Sequence, residues 1–321
     1  MIANALRILR HKGVTGFLTA IYFLAKGNLY RHLLGRRIIE KKVYDYRMYL
    51  DLDDMGISRT LLLFGAREAE HMVILKRVLW PGMTVLDIGA NIGYYVLMEC
   101  QLVGPSGRIV AVEPAPNNLA LLRRNIALNG CQNVTVLPKA ISDTASRRTF
   151  YLSKMSNLST FHPEGSGELH LSGEVLEVET ETVVGIMARL GRPDLIRMDV
   201  EGHEVEIVTG MLEAIERGEM APMILFETHL SRYGCDHDFE GPLRRLFACG
   251  YGVRFLASSS ASGTKKIDAR GYKGSQPIET DFLTRVIYED VDHADAIDFI
   301  CRIGGARTVL LQKMRADLGQ Q

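Results

Sequence analysis

Residues 84–95 of the 321-residue chain read TVLDIGANIGYY, and this stretch decides the fold. It begins as a short apolar run, turns at glycines and continues into an apolar helix that extends through Cys100. Two more buried runs follow, RIVAV at 108–112 and NVTVL at 133–137, with a helical segment between them. Buried strands that alternate with amphipathic helices predict a parallel sheet with helices on both faces.

The same alternation continues in the second half of the chain. The runs LIRMDV at 195–200 and MILF at 223–226 are separated by a segment with helical spacing. Residues 148–152 and 176–184 have strand character of their own, between the third and fourth buried runs. The run RTVLLQ at 307–312 is interpreted as a closing edge strand.

Two carboxylates follow the ends of neighbouring strands beside the glycine turn. Asp87 lies near the end of the first strand, and Glu113 ends the second strand, twenty residues after Gly93. Ligands of doubly wound sheets bind beyond the carboxyl ends of the strands, and glycine lets the backbone approach them closely. A tight strand-to-helix turn would account for the glycines but not for both acids. The pattern predicts a site for a nucleoside-type cofactor, with Glu113 accepting hydrogen bonds from ribose hydroxyls.

The spacing of the turn distinguishes between cofactors. Dinucleotide enzymes use Gly-x-Gly-x-x-Gly, whereas residues 87–93 read Asp-x-Gly-x-Asn-x-Gly. An acid ahead of the first glycine would repel a pyrophosphate, but it suits the amino group of a methionine moiety. The loop resembles motif I of class I S-adenosylmethionine-dependent methyltransferases. With RMDVEGHEVE at 197–206, ILFETH at 224–229 and GARE at 65–68, the chain is similar to the FkbM family of methyltransferases over roughly residues 55–250.

This resemblance implies the fold and the activity. The fold is an α/β, Rossmann-like class I methyltransferase fold, a mostly parallel doubly wound sheet with an antiparallel closing strand. The cofactor is S-adenosyl-L-methionine, and the reaction is O-methylation of a hydroxyl on a sugar, glycolipid or secondary metabolite. The cofactor-binding residues that it implies are Glu68, Asp87, Gly89, Ala90, Asn91, Gly93, Glu113, Pro114, Asn117, Ala140, Ile141 and Asp199.

The residues expected to act on the acceptor follow the fourth and fifth strands. Asp199 matches the acid that faces the transferred methyl, while His203 and His229 are histidines at neighbouring strand ends. One of these histidines would act as general base, oriented by Asp199 or Glu227. Glu201 and Glu204 are explained equally well as acids that offset the dipole of the following helix.

No metal site is predicted. The segment from His229 to Asp238 contains two histidines, a cysteine and two aspartates, but it is interpreted as a solvated loop. The chain has five widely spaced cysteines and no CxxC pair, which is typical of reduced thiols in a cytoplasmic protein.

Charge excludes one class of partner and suggests another. Lys+Arg and Asp+Glu both number 38, so the chain lacks the basic excess of a general nucleic-acid binder. Residues 1–39, however, carry seven Lys and Arg and no acid, around the uncharged run at 14–25. That run is too short to span a bilayer but suits a helix lying on an anionic membrane surface, at the inner face of the membrane. The alternative is a helical cap that packs on the catalytic domain or on a second copy of the chain as a homodimer.

The predicted organisation has a basic helical extension and one methyltransferase domain. The extension is residues 1–43, with helix breaks near residues 13 and 27–28, and the domain is residues 44–321. Within the domain we expect a cofactor half at about 66–145, a β insertion at about 146–190 and a polar insertion at about 258–274. Two other functions stay open: a nicotinamide-dependent Rossmann reductase and a non-catalytic cofactor-binding partner protein. The acceptor would be a small molecule, a glycan or a lipid-linked compound.

Overall fold

The structure is a computed structural model that describes residues 2–163, 170–280 and 283–314, with side chains from residue 13 onward. The helices are α1 (Ile2–Leu33), α2 (Ile57–Phe64), α3 (Ala69–Val78), α4 (Tyr94–Val103), α5 (Pro116–Leu128), α6 (Val183–Leu190), α7 (Glu204–Glu216), α8 (Glu240–Ala248), α9 (Ala261–Asp268) and α10 (His293–Ile297). The strands are β1 (Ile38–Val43), β2 (Tyr46–Asp51), β3 (Thr84–Ile88), β4 (Arg108–Val112), β5 (Val134–Leu137), β6 (Ala140–Ile141), β7 (Arg147–Ser153), β8 (Leu171–Glu181), β9 (Leu195–Met198), β10 (Met223–Glu227), β11 (Tyr251–Ser258), β12 (Ile278–Thr280), β13 (Leu283–Arg285), β14 (Ile287–Val291) and β15 (Ala306–Lys313).

The main sheet is doubly wound, as the alternation of strands and helices predicts. Among the described residues its strands have the order β14-β11-β15-β10-β9-β3-β4-β5. Strands β5, β4, β3, β9 and β10 are mutually parallel, and β15 runs antiparallel between β10 and β11. Apolar clusters cover both faces of the sheet, so its strands are buried on both sides. The α/β, Rossmann-like class I methyltransferase fold is confirmed.

The position predicted for the last strand is wrong, although its antiparallel direction is right. Strand β15 does not close the edge of the sheet; β14 lies at that edge, antiparallel to β11. Val309, Leu310 and Leu311 are each 0% exposed. Val309 and Leu311 belong to the apolar cluster on one face of the sheet and Leu310 to the cluster on the other, so this run is buried on both faces, which does not show from the sequence how many strands lie beside it.

The insertion after β5 forms a small sheet beside the main one. Strands β7 and β8 pair antiparallel, and β6 runs parallel to β8. Residues 183–184, which we expected to end the second strand, begin α6 instead, with Thr182 accepting a hydrogen bond from Gly185 at the helix start. The polar insertion at 258–274 contains α9, which Ser260 caps in the same way.

The N-terminal segment is a long helix followed by a hairpin. Helix α1 has a non-helical residue at Gly13, with φ of 64°, as predicted, but it continues through residues 27–28 without the second predicted break. A Cβ at Gly27 would lie 3.0 Å from a methyl of Leu52, so the helix packs closely on the domain at that point. Residues 38–43, predicted as part of the helical extension, instead form β1 and pair with β2, and their burial alternates with the period of a strand.

Among the described residues, no helix has the length and apolarity needed to cross a membrane.

Candidate active site

A cleft of about 530 Å³ opens beyond the carboxyl ends of β3, β4 and β9. It is lined by nine of the residues discussed from sequence: Gly89, Asn91, Glu113, Pro114, Ala140, Ile141, Asp199, Glu201 and His203. Its other wall is lined by residues that the sequence did not single out: Asn118, Lys139, Phe150, Ser156, Asn157, Ser159 and Phe161. The crevice lies where doubly wound sheets bind their ligands.

The glycine turn after β3 is fixed in place by close contacts. Gly89 has φ of +79°, and a Cβ there would lie 2.3 Å from the carbonyl oxygen of Asp199. Gly93 has φ of +90°, and a Cβ there would lie 2.8 Å from a methyl of Leu122. Because L side chains are disfavoured at positive φ, both positions require glycine on two independent grounds.

Glu113 joins the turn to the end of the second strand. One carboxylate oxygen accepts a hydrogen bond from the backbone N–H of Asn91 at 2.9 Å, and the other accepts from the N–H of Ala115 at 2.8 Å and from the amide of Asn118 at 3.4 Å. Burial raises the pKa of Glu113 to about 7, outweighing these three donors, which favour the charged form. A carboxylate offers about four acceptor positions, so one remains for a ribose hydroxyl.

Asp87 is not at the cleft, contrary to its predicted role with the methionine amino group. Its side chain is 0% exposed and accepts a hydrogen bond from Arg197 at 2.9 Å. The same guanidinium reaches Asp199 at 3.4 Å and lies over the ring of Tyr95, 4.0 Å from its centroid. Asp87 therefore orients Arg197 behind the cleft wall, and Arg197 in turn holds Asp199.

Two other cofactor residues are displaced from their predicted places. Asn117 is exposed and does not line the cleft, whereas its neighbour Asn118 does. The amide of Asn118 donates to Glu113 and to the carbonyl oxygen of Ser156 at 3.2 Å. Since successive residues of a helix point about 100° apart, a one-residue error moves the side chain to another surface. Ala90 is buried under the turn and also does not line the cleft.

Glu68 lies in a buried group of charges at the ends of β10 and β15. One oxygen from each of Glu68, Asp199 and Glu227 lies within 4.8 Å of the other two. Arg307 contacts both Glu68, at 3.1 Å, and Glu227, while Arg67 lies 2.9 Å from Glu68. Despite burial, which opposes ionisation, these arginines hold the pKa of Glu68 well below its usual range. Burial and the Glu227 carboxylate raise the pKa of Asp199.

His203 lines the cleft, but both of its ring nitrogens face other groups. Nε2 lies 3.0 Å from the hydroxyl of Ser142, and Nδ1 lies 3.1 Å from Nε2 of His162 and 3.2 Å from Glu206. Burial lowers the pKa of His203 to about 4. The structure therefore does not support His203 as the general base, because neither nitrogen is directed at the cleft.

His229 is enclosed by carboxylates. Nδ1 lies 3.0 Å from Glu204, and Nε2 lies 3.4 Å from Glu227, 3.6 Å from Glu201 and 3.9 Å from Asp199. Burial alone would lower the pKa of His229, but these acids, Glu204 foremost, outweigh it and hold the pKa well above its usual value. A ring that is already protonated cannot accept a proton, so the geometry does not support His229 as the base either.

Comparison with known proteins identifies the family. The methyltransferase FkbM domain matches residues 87–253, more than half of the chain. The chain belongs to the FkbM methyltransferase family. Methyltransferase sdnD of Sordaria araneosa is 29% identical over 172 residues, which cover 45% of this chain and 65% of that protein. The 31-O-demethyl-FK506 methyltransferase FkbM of Streptomyces tacrolimicus is 29% identical over 162 residues, 42% of this chain and 61% of that protein.

The chain thus spans less than two thirds of the length of these two relatives. Among solved structures, the chain is similar to methyltransferase FkbM from Methylobacillus flagellatus KT, with 16% sequence identity and a TM-score of 0.35. The superposed region covers 72% of this chain and 53% of the chain in that structure. The cofactor of this FkbM protein is S-adenosyl-L-methionine, as its methyltransferase relatives indicate.

Glu201 lines the cleft of this FkbM protein, although its sequence position is explained equally well by capping of the following helix. It precedes α7 with φ of +53° and lines the cleft, so it is not merely a helix-capping acid. The available signal was its neighbour Gly202, at φ of +105°, since a Glu-Gly pair after a strand end favours a tight turn. The wall formed by residues 156–161 gave no signal, because it comes from the insertion and its contacts with the cleft are non-local.

Proposed function

We propose that this protein is an S-adenosylmethionine-dependent methyltransferase that methylates a hydroxyl oxygen of a sugar, glycolipid or secondary metabolite. The observation that carries the proposal is the cleft, where the glycine turn, Glu113 and Asp199 meet at three adjacent strand ends. One relative is named as the methyltransferase of 31-O-demethyl-FK506, which supports an oxygen acceptor. Neither the family nor the turn spacing favours the nicotinamide-dependent reductase considered from sequence.

The residues at the cleft suit each part of the cofactor. The turn from Gly89 to Gly93 would hold the methionine part, Glu113 a ribose hydroxyl, and Pro114, Ala140 and Ile141 the adenine. The cofactor supplies a methyl group that is already strongly electrophilic, so the protein's task is alignment. Holding the acceptor oxygen in line with the methyl is worth several kcal/mol of the barrier, about 7–11 at most.

Asp199 is the proposed proton acceptor. It lines the cleft, lies at the end of β9 and is oriented by Arg197 through the 3.4 Å contact. Arg197 is in turn fixed by Asp87, so a buried ion pair determines where the Asp199 carboxylate points. Glu201, on the same side of the cleft, would accept a hydrogen bond from the acceptor hydroxyl. Glu227 and His229 position these two acids from behind.

The first test is binding and turnover. Calorimetry with S-adenosylhomocysteine and with NADH distinguishes a methyltransferase from a reductase. Radiolabelled cofactor, offered with panels of sugars, glycolipids and polyketides, then identifies the acceptor class. Tight binding of S-adenosylhomocysteine without methyl transfer to any acceptor would favour the non-catalytic alternative.

The second test concerns Asp199. We expect Asp199→Asn to lower kcat by about 10²–10⁴-fold, the range for loss of a general base, and to change affinity for S-adenosylhomocysteine much less. Asp236→Asn, on an exposed loop, is the matched control. Near-normal turnover in Asp199→Asn would contradict the role of Asp199 while leaving the methyltransferase proposal intact.

We also propose that α1 binds an anionic membrane surface. One face of the helix packs on the domain through Ala20 and Gly27, as the cap interpretation expects. The opposite face exposes large apolar side chains at helical spacing: Val14, Leu18, Ile21, Tyr22, Leu29 and Leu33. The side chains of Arg7, Arg10 and Lys12, part of the basic character predicted from sequence, lie outside the described residues. Apolar area combined with basic charge is the composition of an interfacial helix.

Sedimentation with phosphatidylserine vesicles tests this surface. The double variant Leu18→Glu, Leu29→Glu should lose binding, whereas Val175→Glu, an equally exposed apolar residue on β8, should retain it. Binding should weaken as salt rises, because the attraction to the lipid headgroups is screened. If both variants sediment with the vesicles to the same extent, or if binding does not change with salt concentration, the proposal is contradicted.

A further inference from the structure

Three histidines and a glutamate converge behind the cleft, although they come from different parts of the chain. His162 follows β7, His203 precedes α7, Glu206 lies in the first turn of α7, and His237 lies in the loop after β10. The rings of His162 and His237 have centroids 4.4 Å apart, and those of His162 and His203 5.3 Å apart. None of these side chains except His203 lines the cofactor cleft.

Three of the side chains have the spacing of metal ligands. His162 Nε2 lies 3.1 Å from His203 Nδ1 and 3.5 Å from a Glu206 oxygen, and His203 Nδ1 lies 3.2 Å from the other Glu206 oxygen. A tetrahedral ion with bonds of about 2.0–2.1 Å separates its ligand atoms by about 3.3–3.4 Å. The three distances bracket that value, with a different carboxylate oxygen of Glu206 facing each of the two rings.

The hydrogen-bond partners show which ring nitrogens carry lone pairs. Ser142 uses its one hydroxyl proton to donate to Asp143 at 2.9 Å, so its oxygen accepts from Nε2–H of His203. In the neutral ring, Nδ1 then has no proton. It faces a carboxylate oxygen of Glu206 at 3.2 Å, and two acceptors at that distance repel unless a proton or a metal ion lies between them.

His237 contacts the same carboxylate through its second ring nitrogen. Its Nδ1 lies 2.6 Å from the carbonyl oxygen of Arg232, which can only accept, so Nδ1 carries a proton. Its Nε2 lies 3.2 Å from Glu206. In the neutral ring Nε2 then carries a lone pair, so its contact with Glu206, like that of His203, needs a proton or a metal ion nearby.

We propose that His162 Nε2, His203 Nδ1 and Glu206 bind one divalent transition-metal ion of the zinc type, with His237 next to the carboxylate. Imidazole with a carboxylate suits zinc better than magnesium or calcium, which prefer oxygen ligands. The ion joins the segment containing His162 to the start of α7. That segment also carries Ser159 and Phe161 of the cleft wall, and the ring of Phe161 lies 4.5 Å from that of His203. The site is therefore a structural one that fixes the wall of the cleft.

Zinc binding to the full chain, freed of any histidine tag and treated with a chelator, tests this proposal. Calorimetry and elemental analysis should give one tightly bound Zn²⁺ per chain, and Co²⁺ should give the visible bands of a four-coordinate site. His162→Ala and Glu206→Gln should abolish tight binding, and His237→Ala should weaken it about 10–100-fold. His32→Ala, on the exposed surface of α1, should have no effect.

Two outcomes would overturn the proposal. If the wild-type chain binds no zinc, protons alone bridge these groups. If Asp199→Asn loses the ion while His162→Ala keeps it, zinc binds to the Asp199, Glu201 and His229 group instead, whose ligand atoms also lie within 4.8 Å of one another. Neither outcome depends on methyl transfer. His162 is only partly buried, with 28% of its side chain exposed, so its loss should leave folding intact, which thermal unfolding verifies.

Discussion

Replacing Gly89 by alanine should damage both the fold and the cofactor site. At φ of +79°, any L residue costs about 1–2 kcal/mol. The added Cβ would also lie 2.3 Å from the carbonyl oxygen of Asp199, and reaching even 3.0 Å requires a movement of about 0.7 Å. That oxygen belongs to the backbone, and the N–H of the same residue donates to Ile88 at 3.2 Å, so the movement disturbs the link between β3 and β9. Overpacking of this kind costs about 1–3 kcal/mol, which gives a total of about 2–5 kcal/mol.

Gly130→Ala is the matched control for this variant. Gly130 also has positive φ, +63°, but a Cβ there would have nothing within 4 Å. Urea unfolding should therefore show a loss of about 1–2 kcal/mol for Gly130→Ala and a clearly larger loss for Gly89→Ala. Calorimetry with S-adenosylhomocysteine should show at least a tenfold loss of affinity for Gly89→Ala alone. Equal destabilisation by the two substitutions, or normal affinity in Gly89→Ala, would refute the argument that close approach of the turn to Asp199 is required.

Three further predictions concern groups around the cleft. The buried carboxyl of Glu113 has its pKa raised from 4.5 to about 7, so its contribution to stability is fully present below pH 4.5 and is lost as the pH rises through 7. The loss in the free energy of unfolding is about 3 kcal/mol. Urea unfolding of the cofactor-free Glu113→Gln variant should not show this pH-dependent loss. A variant that kept the wild-type pH slope would contradict that pKa. Asn118→Ala should weaken the binding of S-adenosylhomocysteine, measured by calorimetry, whereas Asn117→Ala should leave it unchanged. An equal loss of affinity in both variants would support Asn117, the residue predicted from sequence, as a cofactor-binding residue. Arg197→Met should lose about 3–5 kcal/mol in urea unfolding, because Asp87 would be left as an unpaired buried charge, and wild-type stability would contradict the pairing.

The sequence was sufficient for the parallel core of the fold and for the place of the cleft. Each parallel strand was visible as a short apolar run, and in such a sheet all their carboxyl ends lie at one edge. Gly89, Glu113 and Asp199 could be assigned to that edge without knowing any contact. The last strand was misplaced because a buried run carries no information about its neighbours. The contacts of the wall at residues 156–161 and of His162 join segments about 40 residues apart, and no local pattern encodes them.

The direction of the Asp87 side chain, which points to Arg197 and not to the cleft, follows from the pairing of the two strands. Asp87 and Arg197 are register partners on adjacent parallel strands, so their side chains project from the same face of the sheet. A carboxylate beside a guanidinium in a buried sheet forms an ion pair, since leaving either charge alone there is far more costly. Asp199, two residues after Arg197, extends past the strand end into the cleft, where it can reach a ligand. The two acids therefore differ in role because of their position along the strands: Asp87 fixes the guanidinium, and the guanidinium presents Asp199 to the cleft.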